Sequence, residues 1–337
     1  MIKEAIYDVI NGKNLDLATA KQAMCEIMEG KATNAQIGGF LTALRLKGET
    51  IDEITAFAQA MREKCSVVKH DRDVFEIVGT GGDEANTFNI STTAGFVIAS
   101  AGVQVAKHGN RSVSSKCGAA DCLEALGTNL DLNAQQNAKM LNQTGMCFMF
   151  APLYHASMKY AAPVRRELGI RTVFNILGPL GNPAGATMQL MGVYAEELVE
   201  PLAQVLANLG VKRGAVVFGY DGLDEITACS KTLVCEINNG KLNVYTLDPK
   251  DYGMDYAQSG ELVGGDKFTN AQITRNILSG ETGAKRNAVI LNAGMSLHLA
   301  KPDLSIADGI KLAVELIDSG RARYQMEQFI KYSNEVA

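Results

Sequence analysis

Short apolar runs alternate with longer helical stretches from Asp73 onward, and this alternation constrains the fold more than any other feature of the chain. Runs of this length between turn residues are typical of buried strands. Because helices separate the runs, the strands are predicted to lie mostly parallel in one central sheet of an α/β region. The predicted strands are Val74–Val78, Val103–Ala106, Cys147–Phe150, Met188–Val193, Ala215–Gly219 and Thr232–Ile237, and the predicted helices lie near 91–101, 118–126, 134–142, 155–168, 196–208, 270–279, 284–299, 305–319 and 322–335.

The first 65 residues show helical patterns only. Thr33 with Gln36, and Thr50 with Glu53, each have the spacing of a capping box at a helix start. Gly48 predicts the end of the helix between them. The sequence therefore predicts a small all-helical domain over residues 1–70, followed by a larger α/β domain.

Three polar loops in the α/β region predict a site for a phosphorylated sugar. Gly79–Asp83 follows an apolar run and has three glycines, whose backbone is free to approach an anion. Asn89–Thr93 opens a helix, whose N-terminus favours negative charge. Lys107–Lys116 adds three cations after the next run. Ligands of such folds collect at the carboxyl ends of strands, and neither the nucleoside-triphosphate nor the dinucleotide glycine pattern is present.

Composition limits the partners and the location. The 337 residues carry a net charge of −5, which gives no overall attraction to nucleic acid or to an anionic membrane. The seven cysteines include no C-x-x-C pair, as expected of reduced thiols. The N-terminus lacks the features of a signal peptide, and no apolar stretch reaches the roughly 18 residues of a membrane span. We therefore expect a soluble, cytoplasmic protein with neither a nucleic-acid nor a membrane partner.

Two charged segments leave alternatives open. Asp221–Glu225 is either a solvated acidic turn or, since it follows a strand near the anion loops, a magnesium site that uses Asp224 and Glu225. Arg165, Arg166 and Arg171 form either a solvated helix face or a carboxylate-binding group. Neighbouring arginines on a helix point in different directions, so at most one of Arg165 and Arg166 faces a given pocket.

Together the segments Gly79–Asp83, Asn89–Thr93, Lys107–Arg111, Arg165–Thr172 and Asp221–Glu225 resemble the anthranilate phosphoribosyltransferases of tryptophan biosynthesis. The resemblance implies an Mg²⁺-dependent transfer from 5-phosphoribosyl 1-diphosphate to the amine of anthranilate, the second step of tryptophan synthesis from chorismate. It implies a fold like that of the nucleoside phosphorylases and a homodimer formed through the helical domain. It also implies that a segment near 160–185 joins the helical domain, leaving 71–159 and 186–337 as the α/β domain.

The resemblance also implies roles for individual residues. Contacts to anthranilate are implied for Gly79, Asn110 and Arg165, and magnesium ligation for Ser91, Asp224 and Glu225. Since an aromatic amine is already unprotonated, no general base is expected, and Lys107, His108 and Arg165 assist by position and charge. Contacts to the diphosphate substrate are implied for Gly79, Gly82, Asp83, Thr87, Asn89, Ile90, Ser91, Thr92, Lys107, His108, Gly109, Asn110, Arg111, Ser112, Val113, Ser114, Ser115 and Ala119.

Two alternative functions are weighed against this interpretation. A pyrimidine nucleoside phosphorylase usually has a further C-terminal domain and a different lysine loop from Lys107–Arg111. A non-catalytic nucleic-acid-binding relative would have a basic surface and would lack Asp224 and Glu225. The chain departs from the pattern of the transferases at Cys117, Ala119, Ala120, Ala156–Ser157 and Gly181.

Overall fold

The chain begins with four amphipathic helices in a computed structural model that describes residues 1–112 and 116–337. Both predicted capping boxes are present, at Thr33 and at Thr50, and Gly48 ends the third helix with φ of 84°. Within the described ranges no helix has the length and apolar character that a membrane crossing requires. These helices are α1 (Ile2–Ile10), α2 (Leu17–Met28), α3 (Asn34–Lys47) and α4 (Ile51–Glu63).

A seven-stranded sheet forms the centre of the remaining chain, with the strand order β3-β2-β1-β4-β5-β6-β7. The first five strands in chain order pair in parallel, and β6 and β7 pair antiparallel at one edge. The mostly parallel sheet is as predicted, whereas β7 was missed. The strands are β1 (Phe75–Gly79), β2 (Val105–Gly109), β3 (Met146–Phe150), β4 (Met188–Gly192), β5 (Arg213–Gly219), β6 (Thr232–Asn238) and β7 (Lys241–Leu247).

Helices cover both faces of the sheet, because strand residues alternate between two apolar cores. Along β5, Ala215 and Val217 belong to one core, while Val216 belongs to the other together with α1–α4. The α helices that follow β1 are α5 (Ile90–Ser100), α6 (Ala119–Leu126), α7 (Ala134–Thr144), α8 (Ala151–Tyr154), α9 (Ala162–Leu168), α10 (Phe174–Leu180), α11 (Val199–Asn208), α12 (Lys267–Leu278), α13 (Ala284–Ala300), α14 (Ile306–Asp318) and α15 (Arg321–Glu335).

The segment from α8 to α10 differs from the prediction. The helix expected over 155–168 is divided into a short 3₁₀ helix at Ala156–Tyr160 and α9, with Pro163 in the first turn of α9. Helix α10 runs from Phe174 to Leu180 although Pro179 lies inside it. Buried residues of α9 and α10 pack in the same core as α1–α4, so local proline signals are overridden by tertiary packing.

The sheet order places a topological switch point between β1 and β4. Strands β2 and β3 lie on one side of β1, and β4 and β5 lie on the other side. Loops that leave β1 and β4 therefore separate to opposite sides and open a crevice at the carboxyl ends of the strands, the usual ligand position in such sheets.

Candidate active site

Two glycines at the switch point make room for one acidic residue. Gly79 ends β1, Gly192 ends β4, and the two are register partners. A Cβ atom at Gly79 would collide with the carboxylate of Asp224, and one at Gly192 would collide with its backbone carbonyl. Asp224 therefore lies directly over the crevice where the fold collects ligands.

Asp224 and its neighbour Glu225 tie two of the predicted anion loops to this position. The Gly81 amide donates a hydrogen bond to Asp224 Oδ2 at 2.6 Å, and the Ser91 amide donates to Glu225 Oε1 at 3.1 Å. The second bond places a carboxylate at the positive N-terminus of α5. Asn292 on α13 fixes the next peptide by exchanging hydrogen bonds with the Ile226 amide and carbonyl at 3.0 and 2.7 Å.

Asp224 and Glu225 are buried with too little positive charge nearby to offset the cost of burying two carboxylates. Burial, followed by the charges of Asp83 and Glu225, raises the pKa of Asp224 well above its ordinary value. Burial also raises the pKa of Glu225 to about 7, although Lys107 opposes the shift. Since proximity of a cation lowers a carboxyl pKa, the pair is poised to gain from an additional positive charge.

Lys107 lies beneath the crevice rather than at its surface. Its side chain is fully buried, and Nζ donates to the Ile77 carbonyl at 2.6 Å and to Ser91 Oγ at 3.1 Å. Burial lowers its pKa to about 8, against the opposing charges of Glu225, Glu76 and Asp224. Lys107 therefore acts as the internal counter-ion of the acidic group and orients Ser91.

The loop after β1 turns sharply on two glycines with positive φ, Gly81 at 70° and Gly82 at 80°. The Thr80 amide donates to the Gly192 carbonyl at 3.0 Å. The amides of Gly82 and Asp83 have no acceptor in the described part of the chain. These two donors remain available to an anion, as the glycine pattern predicted.

The end of this loop is held from across the chain. Thr87 forms an isolated antiparallel bridge with Val263. Asn89, the N-cap residue of α5, uses its side chain elsewhere: Nδ2 donates to the Cys117 carbonyl at 3.2 Å, and Oδ1 accepts from Asn270 at 2.9 Å. Ile90 and Thr92 are buried at the start of α5. Asn89 therefore connects the second predicted loop to the third.

The loop after β2 is closed by Asp121 on α6. Its carboxylate accepts from the Ser112 and Gly118 amides, both at 2.9 Å, and from Arg111 Nη1 at 3.0 Å. Arg111 also pairs with Glu124 at 2.9 Å, so its charge is already neutralised in this structure. The predicted substrate contacts at Val113, Ser114 and Ser115 lie outside the described residues.

Close packing shapes the base of the same loop. A Cβ atom at Gly109 would lie 2.9 Å from the Phe148 ring and 3.3 Å from Ala119 Cβ, so only glycine fits there without a shift of its neighbours. The Asn110 carbonyl accepts from the Ala120 amide at 3.2 Å, while the exposed Asn110 side chain accepts from the Arg111 amide at 2.7 Å. Ala119 thus supports the loop by packing.

His108 points away from the acidic group and packs against a second histidine, His155. Their ring centroids are 4.9 Å apart, and both residues are buried. Burial lowers the pKa of His108 to about 3 and that of His155 to about 4. The backbone amide of His108 donates to Glu76 Oε1 at 3.1 Å. Both imidazoles are therefore neutral at physiological pH.

The neighbouring residues Arg165 and Arg166 have different surroundings. Arg165 is half-buried, with its guanidinium 5.2 Å from the centre of the Phe174 ring, and burial lowers its pKa. Arg166 is exposed, so the two neighbouring side chains differ in burial. No hydrogen bond or ion pair joins Arg165 to Asn110 or Gly79 in the described chain.

The predicted metal ligands lie together but do not form a complete protein cage. Ser91 and Glu225 are hydrogen-bonded, and Glu225 adjoins Asp224. In residues 1–112 and 116–337 no three histidine, cysteine or acidic side chains form a cluster that could hold a metal ion. Such a donor set suits Mg²⁺, which commonly takes one or two carboxylates and completes its shell with water and substrate phosphates.

Comparisons with known proteins identify the family. The helical bundle domain of the glycosyl transferase family matches residues 3–65, and its a/b domain matches residues 71–323. An anthranilate phosphoribosyltransferase of Ruminiclostridium cellulolyticum is 61% identical over 99% of this chain and 98% of its own length. One from Methanobrevibacter smithii is 56% identical over 99% of this chain and 100% of its own. The chain belongs to the anthranilate phosphoribosyltransferase family.

Solved structures of this family share the fold. The Thermus thermophilus enzyme has a TM-score of 0.93 and 40% identity, over 98% of this chain and 99% of that one. A Saccharomyces cerevisiae structure in complex with PRPP and Mg has a TM-score of 0.92 and 26% identity, over 99% and 98%. The predicted family, fold class and transferase activity are therefore confirmed. These relatives are anthranilate phosphoribosyltransferases, and none of them is a nucleoside phosphorylase or a nucleic-acid-binding protein.

Several residues that shape the site were not found from the sequence. Asp121 has a local signal, because it stands at the third position of α6 and its carboxylate accepts from the N-cap Gly118 amide. No local sequence pattern marks Asn292, Asn270 or His155, because each contacts a partner that is distant in the chain. Buried asparagines inside helices are a general signal of such tertiary contacts, because a buried amide must find partners.

Proposed function

We propose that this chain joins anthranilate to phosphoribosyl diphosphate at the crevice between β1 and β4, releasing diphosphate. The observation that carries the proposal is the position of Asp224 and Glu225, which lie over the switch point and bind the Gly81 and Ser91 amides. Loops after two strands and one buried acidic pair thereby converge on one place. Donor amides beside acidic metal ligands suit a diphosphate that is bound with a divalent cation.

The diphosphate substrate is assigned to the rim of this crevice. The acidic group is surrounded by the Gly82 and Asp83 amides, by the start of α5 and by the loop after β2. The residues proposed to contact the substrate are Gly79, Gly82, Asp83, Thr87, Asn89, Ile90, Ser91, Thr92, Lys107, His108, Gly109, Asn110, Arg111, Ser112 and Ala119, together with Val113, Ser114 and Ser115 outside the described ranges.

Mg²⁺ fits the donor set of Ser91, Asp224 and Glu225. Both carboxyl pKa values are raised by burial, and the charge of Lys107 alone does not restore them. The ion would neutralise charge on the departing diphosphate. The residues of the chain contribute the rest, since Lys107 orients the Ser91 hydroxyl and Asn292 fixes the peptide that follows the acidic pair.

Anthranilate is assigned to the side of the crevice near α9. The half-buried Arg165 has no carboxylate partner among the described residues, and a partly desolvated guanidinium binds a carboxylate strongly. Asn110 is exposed and Gly79 lies at the crevice, so both remain proposed contacts. No general base is needed, because the amine is unprotonated; Lys107 and Arg165 act by charge and position, and the neutral His108 acts by position alone.

A homodimer through the helical domain also belongs to the proposal. Tyr7 and Ile10 on α1, Leu17 on α2 and Leu46 on α3 are large apolar side chains exposed on this domain. We expect a second copy to cover these exposed apolar side chains. We also propose that the helical domain comprises residues 1–70 and a segment near 160–185, and that the protein is cytoplasmic.

The experiment is turnover of anthranilate with phosphoribosyl diphosphate and Mg²⁺, followed by loss of anthranilate fluorescence. In the Asp224→Asn, Glu225→Gln double variant we expect kcat to fall by at least 100-fold and the dependence on Mg²⁺ to weaken, since removal of one stabilising group in a preorganised site costs about that much. Unchanged circular dichroism would exclude unfolding. A double variant with the wild-type rate and metal requirement would refute the metal assignment.

A further inference from the structure

Arg171 contacts three parts of the site with a single side chain. It lies in the connection between α9 and α10. Its Nη2 donates a hydrogen bond to the Gly82 carbonyl at 2.6 Å, and its guanidinium lies 4.2 Å from the centre of the Tyr194 ring. Tyr194 follows the end of β4 by two residues. One side chain thus joins the α9–α10 segment, the loop after β1 and the chain after β4.

The contact fixes the direction of one peptide group. In a trans peptide the carbonyl and the following N–H point in opposite directions, and the described chain has no cis peptide bond. Because Arg171 holds the Gly82 carbonyl, the Asp83 N–H points away from Arg171. On the other side, Asp224 holds the Gly81 N–H at 2.6 Å. The loop is therefore fixed from both sides. The Gly82 amide lies between the two attachments and the Asp83 amide directly follows the second, and neither amide has an acceptor among the described residues.

Two consecutive glycines would not keep this conformation unaided. Gly81 and Gly82 both have positive φ, and glycine loses more conformational entropy than any other residue when it is fixed. The Gly82 carbonyl accepts no hydrogen bond in the described chain other than that from Arg171. Loss of Arg171 would therefore release the peptide whose N–H is offered to the substrate.

We propose that Arg171 is a positioning residue, which orients the Gly81–Asp83 backbone for diphosphate binding without touching the substrate itself. The role requires a planar cation, since one face must stack on Tyr194 while the edge donates to the carbonyl. A lysine would keep the charge but would not combine stacking with the directed hydrogen bond. This inference rests on the proposed function for its kinetic consequence, but not for its consequence for the loop.

The test compares Arg171→Ala and Arg171→Lys with Arg166→Ala. Arg166→Ala is the control: it removes the same charge from a nearby exposed residue whose side chain has no hydrogen bond, ion pair or ring contact in the described chain. Deuterium uptake over residues 79–86 is measured in the ligand-free protein, followed by KM for both substrates. We expect both Arg171 variants to increase uptake in that segment and to raise the KM for phosphoribosyl diphosphate about tenfold, the effect of one charge-assisted hydrogen bond.

Other readouts separate positioning from alternative roles. The KM for anthranilate and the melting temperature should stay near the wild-type values in every variant. Wild-type KM in Arg171→Lys, with a defect only in Arg171→Ala, would show that charge alone matters and would overturn the proposal, as would unchanged deuterium uptake. If the wild-type protein does not turn over the two substrates, the proposed function fails, while the uptake measurement still decides the role of Arg171.

Discussion

Below neutral pH, the two buried histidines should make the chain progressively less stable. His108 and His155 have pKa values lowered to about 3 and about 4, mainly by burial, while an unfolded histidine titrates near 6.5. A depressed folded pKa means that the unfolded chain binds the proton first. The stability that both histidines contribute as neutral groups is therefore complete above about pH 6.5 and is lost as the pH falls toward the folded values.

The size of the effect follows from linkage. Near pH 5 an unfolded His155 carries nearly one proton and the folded residue about 0.1, so it adds about 1.2 kcal/mol per pH unit to the slope of the unfolding free energy. Between pH 7.5 and pH 5 its contribution sums to about 2 kcal/mol. His108 contributes a similar amount. Burial raises the pKa of Glu76 and of Glu225 to about 7, and these carboxyls act with the opposite sign.

A difference measurement isolates the histidines from these carboxyls. Urea unfolding of the wild type and of His155→Gln is measured between pH 7.5 and pH 5. The variant should lose about 1.2 kcal/mol per pH unit of slope near pH 5. The control is His298→Gln: hydrogen bonding to Glu236 raises the pKa of His298, so both states already carry most of that proton near pH 5. An unchanged slope in His155→Gln, or an NMR-measured pKa near 6.5 for either imidazole, would refute the reasoning.

Two further predictions concern the site itself. Gly192→Ala should lower kcat at least tenfold and weaken the dependence on Mg²⁺, because the added Cβ would displace the Asp224 backbone. The control is Gly39→Ala, whose added Cβ would meet no atom within 4 Å. Equal kinetics in the two variants would contradict the packing argument. Arg165→Ala should raise the KM for anthranilate roughly ten- to a hundredfold, which corresponds to the loss of one hydrogen bond to a charged group. The KM for phosphoribosyl diphosphate should stay nearly unchanged. A defect in Arg166→Ala instead would show that the arginine assignment is wrong.

The loops of the site were predictable because their signals are local. An apolar run followed by glycine or by acidic residues marks the carboxyl end of a strand, and this located Gly79–Asp83 and Asp224–Glu225 correctly at the edge of the sheet. Strand β7 was missed because Lys241, Asn243 and Thr246 interrupt its apolar residues. Its turn did carry a signal, since Asn239 and Gly240 have positive φ and Asn-Gly is the strongest short hairpin pattern.

Contacts between distant residues were not predictable. Gly81 and Asp224 are separated by 143 positions, and no local pattern relates them. Gly181, one of the positions at which the chain departs from the pattern of the transferases, shows the same limit. A Cβ atom at Gly181 would collide with the Met61 side chain of α4. The glycine at position 181 therefore leaves the space that Met61 occupies. The flexible end of a methionine commonly fills such gaps, and only the folded structure shows that the two positions depend on each other.

The charge distribution explains why the acidic pair does not repel an anionic substrate. Glu76, Asp224 and Glu225 surround one buried ammonium, Lys107, so the floor of the crevice is short of positive charge. The rim instead offers the backbone amides of Gly82 and Asp83, which have no acceptor within residues 1–112 and 116–337. A free diphosphate would meet donors at the rim and repulsion at the floor. Binding together with a divalent cation changes the second interaction to attraction, and we therefore expect affinity for the diphosphate to depend on magnesium far more steeply than affinity for anthranilate.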